Sequence, residues 1–170
     1  MVYDDHDPWN EPSHRHPIAS KLMLDETLWD CVNELAPFGS DEGADAYCEF
    51  RNWRADNPTA DLTACVDWIL GGKLKYYDES IADVDTLESS DLSAQSFGYG
   101  DAFTLDATII ATILGQLIDE GCIDSAAKPL AFIAISRQSH PKILAEYPEE
   151  TIANERRCIL EAVRKVIEAA

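Results

Sequence analysis

Thr104-Leu-Asp-Ala-Thr-Ile-Ile-Ala-Thr-Ile-Leu-Gly-Gln-Leu-Ile-Asp-Glu120 is the stretch on which the fold turns. Leu105, Ile109, Ile110, Ile113, Leu114, Leu117 and Ile118 recur at three- and four-residue intervals, the period of an α-helix. They span too wide an arc for one-sided burial, so this helix is expected to be covered on more than one side. Gly121 is placed to end it. The segment Asp101-Ala-Phe-Thr-Leu-Asp106 reads as the capping of its start.

Downstream, Ser125 is expected to cap a helix carrying Leu130, Phe132, Ile133 and Ile135, which His140-Pro141 breaks before a short 142–147 segment. A last helix follows over about 148–169, with Ile152, Ile159, Leu160, Val163, Val166 and Ile167 inward. Upstream, Thr59 can cap a helix whose core face is Leu62, Cys65, Val66, Ile69 and Leu70, with Gly71-Gly72 as its stop. Ser40 can cap a helix over about 41–55, ended by Asn57-Pro58. Its expected stripe is Ala44, Tyr47, Cys48 and Arg51, widened by Phe50 and Trp53. A short helix from about Glu26 is expected to bury Leu28, Cys31, Val32 and Leu35. Pro17 suits the first position of a helix bearing Ile18, Leu22 and Met23.

Residues 73–100 keep no period and read as irregular, with a short helix considered at 80–87. Residues 1–16, with Pro8 and Pro12, read as an extended polar arm. No stretch sustains strand alternation. The expected architecture is therefore all-α: a compact single-domain multi-helix bundle over 17–170, with an extended N-terminal arm and an irregular segment near 73–100.

The chain has 170 residues, 46% hydrophobic and 26% charged, a globular composition. Its formal charge of -19 is uneven: residues 1–106 hold 23 acids against 6 bases, residues 107–170 hold 9 against 7. Such a surface argues against direct nucleic-acid binding, which needs Lys and Arg on phosphates, and against anionic membranes. The apolar run from Ile109 to Ile118 is interrupted by Thr112, Gly115 and Gln116 and is too short to span a bilayer. With no basic start or apolar signal core in residues 1–16, a cytoplasmic protein is expected. The five cysteines (Cys31, Cys48, Cys65, Cys122, Cys158) form no Cys-x-x-Cys pair and read as reduced thiols packed as small hydrophobes.

Pro37-Phe-Gly-Ser-Asp-Glu-Gly-Ala-Asp45, then Phe50-Arg-Asn-Trp-Arg54 and Asn57-Pro58, with His16-Pro17 and Trp29-Asp-Cys31 upstream, resembles the YfeS-like family of uncharacterised bacterial proteins. The likeness extends more loosely through Leu105-Asp106, Gln116–Gly121 and Ala127-Lys-Pro129, covering roughly residues 16–138. It implies no agreed activity and no catalytic residues. Some relatives carry an extra WGR module linked with nucleic-acid-related proteins; residues 139–170 read as helix, not as that module.

Candidate sites come from charge. Asp41, Asp45 and Glu49 are four apart and share a helix face with Glu42 beside them, so their repulsion invites something positive. That counterpart can be this chain's Arg51 and Arg54, a partner's basic surface, or a hard divalent cation. Trp53 is a candidate interface anchor or a core residue. His6, His14 and His16, with Asp41 and Asp45, are the metal candidates. No nucleophile elbow, Walker loop or His-Glu-x-x-His occurs, and Ser139-His140 are poorly placed to orient each other. The expected function is a non-catalytic acidic protein-binding module without cofactor: an immunity protein or antitoxin-like inhibitor engaging a basic bacterial toxin, such as a nuclease domain. The alternative is a metal-dependent enzyme or metal-binding protein using Asp41/Asp45 and the N-terminal histidines.

Overall fold

The computed structural model of the protein describes the backbone of residues 6–72, 74–76 and 99–170, and their side chains apart from those of 76 and 99–102. Seven α-helices and no strand occur among these residues. In chain order they are α1 Pro17–Leu22, α2 Asp41–Asp56, α3 Leu62–Ile69, α4 Tyr99–Glu120, α5 Lys128–Gln138, α6 Pro141–Leu144 and α7 Glu150–Ala169. The irregular segment expected at 73–100, and the short helix considered at 80–87, lie outside the described residues apart from 74–76 and 99–100. There, Leu74–Tyr76 is a 3-10 turn and Tyr99 opens α4, earlier than the expected start near 104.

α4 is the axis of the bundle. Every residue from 105 to 118 is buried, which is the meaning of its wide apolar arc. α2 packs most extensively against it, then α5, with α1 and α3 on other sides and α7 against α5. Gly115 shows how α2 approaches: a Cβ there would come within 2.7 Å of Tyr47 Cδ2 and 3.4 Å of Phe50 Cδ1. A mid-helix glycine costs about 1 kcal/mol relative to alanine. Here the missing Cβ lets two α2 rings lie on the α4 backbone, and burying each contributes about 1.5–3 kcal/mol.

Asp106 does not cap α4. It lies fully buried, accepting from Arg137 Nε at 2.8 Å and from Gln138 Nε2 at 2.6 Å, with Arg137 Nη2 on its other oxygen. Asp124, after α4, accepts from the Leu62 amide at 2.7 Å and from Gln116 Nε2 at 3.0 Å, while its own amide donates to Gln116 Oε1. The start of α3 is thus capped from a distant residue and not by Thr59; its N-cap residue is Asp61, with no side-chain cap bond.

Several other expectations shift for identifiable reasons. Glu26–Trp29 forms one 3-10 turn and no α-helix follows, because the Asp30 carboxylate takes the Val32 and Asn33 amides and the Asn33 side chain takes that of Leu35. Cys31 and Val32 are consequently exposed, Val32 by 82%. On α2 the buried stripe is Gly43, Ala46, Tyr47 and Phe50, one position round from the expected one, leaving Ala44 and Cys48 outside. α5 starts at Lys128 with Ala127 as its N-cap residue, not at Ser125, and buries Ala131, Ala134, Ile135, Arg137 and Gln138. Leu130, Phe132 and Ile133 are half-buried on its flank. All five cysteines are free, but only Cys65 is buried.

Residues 6–16 lie against the bundle. Trp9 lies tilted against Phe38 at 4.5 Å between centroids, and meets Trp29 tilted and Tyr47 edge-on. The Arg15 guanidinium covers the Trp29 ring at 3.8 Å while donating to the carbonyls of Pro8 and Trp9. His16 joins this arm to α4, its amide bonding to Ile118 O at 2.8 Å. Trp9 thus docks back rather than reaching outward.

Candidate functional site

The 37–45 motif is first a folding device. Ser40 Oγ accepts the Gly43 amide at 3.2 Å and caps α2. Gly39 and Gly43 stand where the turn doubles on itself: a Cβ on Gly39 would meet Asn33 O at 1.8 Å, and one on Gly43 would meet Pro37 O at 2.0 Å. Phe38 is buried beneath Trp9 and Tyr47. This tight turn directs α2 outward with its carboxylates fixed.

Asp41, Asp45 and Glu49 are exposed along α2, and Glu42 is half-buried. The row is about 12 Å long at 1.5 Å per residue. Arg51 and Arg54 point elsewhere: Arg51 Nε lies 3.2 Å from Asp119 Oδ2, and Arg54 Nε lies 2.7 Å from Glu120 Oε1, an ion pair too bent to count as a hydrogen bond. Among the described residues, Asp41, Asp45 and Glu49 form no ion pair. Each like-charged i,i+4 step destabilises a helix by about 0.2–0.5 kcal/mol. The helix dipole offsets this only in the first turn, at Asp41 and Glu42. The outer two carboxylates are left unrelieved.

The N-terminal end of this row opens into a cleft of about 550 Å³ that sequence reasoning did not find. Glu34, Asp41, Glu42 and Glu146 line it with carboxylates, and no Lys or Arg is among its described lining residues. Leu35, Phe103, Ile143 and Tyr147 supply an apolar and aromatic wall, with Gln138 reaching it from the Asp106–Arg137 pair. Nearby, Arg156 is buried and donates to Leu35 O at 2.6 Å; desolvation pulls its guanidinium below the usual arginine value. A signal for the pair was present in the sequence: an Asp on the core helix, where each neighbouring apolar position is inward, needs a buried cation.

The remaining candidates have internal roles. Trp53 is half-buried and packs against the core, with the Arg54 guanidinium 5.6 Å from its ring. His6 Nε2 lies 3.1 Å from Tyr47 Oη and 3.3 Å from Asp119 Oδ1, and Tyr47 donates to that same oxygen at 2.6 Å. His14 stacks on His6 at 5.3 Å and its Nδ1 accepts the Asp7 amide. His16 Nδ1 accepts the Ile18 amide and its ring closes on Gly121. The structure therefore pairs His6 with His14, and assembles no group of three or more His, Cys, Asp or Glu able to hold a metal among the described residues. No helix among them is long and apolar enough to cross a membrane. No family model, curated protein or solved structure matches the chain.

Proposed function

We propose that this chain is a non-catalytic binding module for a basic protein surface, of the immunity-protein or antitoxin kind, occluding a cationic toxin such as a nuclease domain. The observation that carries the reading is the α2 row: three exposed carboxylates at one-turn spacing, ion-paired to no described residue, beside a cleft that shares Asp41 and adds three more acidic side chains. A helix face held rigid by a buried stripe presents these charges without reorganisation, which favours fast, steered encounter. The segment 77–98 adds six acids and no base to the chain, so the overall field points the same way.

The test is kinetic. The full chain is immobilised, a basic protein it retains from the host is identified and purified, and association is followed at 50 to 500 mM salt. Steering predicts that the rate constant falls steeply with salt, and that Asp41→Lys with Asp45→Lys slows it by about tenfold or more. A rate indifferent to both refutes the proposal.

A further inference from the structure

The cleft and the row share Asp41, and their joint geometry specifies an occupant. Successive carboxylates of the row are one helical turn plus a fraction apart, about 6 Å. Alternate residues of an extended chain lie on one side at about 6.6 Å intervals. Over two steps the two rulers differ by only about 1 Å, well within the reach of a long side chain.

We propose that the cleft and the α2 row receive an extended segment of the partner with arginine at every second position, the first seated in the cleft. This rests on the binding function proposed above and names the shape and periodicity of what is bound. The first guanidinium lies between the aromatic wall of Phe103 and Tyr147 and the carboxylates of Glu42 and Glu146; the next two meet Asp45 and Glu49. Arginine suits the cleft better than lysine because its planar, weakly hydrated head stacks on rings and bonds carboxylates in pairs. The α2 N-terminus carries about half a positive charge, and Arg156, buried with its guanidinium 5.9 Å from the Phe103 ring, adds one more; the four carboxylates outweigh both, so a cation there is attracted on balance. A small cation would fill neither the 550 Å³ cleft nor the row beyond it, whereas a continuous segment covers both.

Three fluorescent peptides of identical length and composition decide the matter: arginines at alternate positions, arginines consecutive, and arginines every third residue, with serine at all remaining positions. The expected result is binding of the alternating peptide at least tenfold tighter than either permutation, with amide shifts confined to the cleft and α2. Asp45→Ser, at an exposed position, should remove that advantage while leaving the fold intact by circular dichroism. Equal affinity for the three peptides, or shifts spread over the whole acidic surface, overturns the periodicity. Salt-dependent association with a folded basic partner would survive that failure, so the two proposals fall separately.

Discussion

Replacing either member of the Asp106–Arg137 pair should be among the most damaging changes available to this protein. Both side chains are at or near zero exposure, and Gln138 shares the Asp106 carboxylate. Asp106→Ala leaves a guanidinium in the core without its carboxylate, and Arg137→Met leaves a buried carboxylate without its guanidinium. Loss of one partner from a buried pair costs about 3–5 kcal/mol, which at 2–4 °C per kcal/mol for a chain of this size lowers Tm by roughly 6–20 °C. The double variant Asp106→Leu/Arg137→Met removes both charges at once and should recover most of the loss, since apolar replacement of a buried pair is often neutral. Urea unfolding followed by far-ultraviolet circular dichroism gives the four corners of the cycle. A single-variant loss below about 1 kcal/mol, or a double variant weaker than both singles, would refute the assignment of this pair as a mutually dependent buried unit.

Other outcomes follow from equally local features. Burial pushes the Cys65 thiol up to about 12, and burial also raises Cys122; at pH 8 iodoacetamide should modify Cys31, Cys48 and Cys158 first, Cys122 more slowly, and Cys65 only on unfolding, as read by peptide mass spectrometry. Thr112 Oγ1 is buried without a hydrogen-bond partner, so Thr112→Val should raise stability by about 1 kcal/mol in the same urea assay. Gly39→Ala drives a Cβ into Asn33 O and should cost about 3 kcal/mol, with loss of Ser40 capping visible as amide exchange at Gly43. Asp7 is held below its ordinary 3.8, first by the Asn10 side chain and then by the Asn10 and Trp9 amides. Its contribution to the Asp7–Asn10 turn that carries Trp9 is therefore present above that value and lost as pH falls through the lower folded one, so Trp9 fluorescence should shift in acid and Asp7→Asn should abolish the step.

The helices that were legible in the sequence are those whose burial is decided by their own residues. α4 announces itself because its apolar arc is wide, and α7 because Ile159, Leu160, Val163, Val166 and Ile167 keep one stripe. What misled was side-chain competition for the backbone: Asp30 and Asn33 convert an apparent helix into turns, and nothing in the spacing of Leu28 and Val32 reveals it. The α2 stripe slipped by one position because Gly43 is inward for its lack of a side chain, a choice made by Pro37 O and not by hydropathy. For the site, the carboxylate row follows from i,i+4 spacing alone. The cleft does not, since Glu34, Phe103 and Glu146 come from three distant segments and no local pattern joins them.

The bond from the Leu62 amide to Asp124 spans 62 positions, and it sets a clock. During translation at about 5–20 residues per second, roughly 3–12 s separate synthesis of the first residue of α3 from synthesis of the one that caps it. Until residues 99–120 have been made, Leu62, Cys65 and Val66 lack the α4 surface they finally cover, and until Asp124 follows they lack their cap. The nascent chain is accordingly open to chaperones at this helix, and slower codons between 62 and 124 would lengthen its exposure.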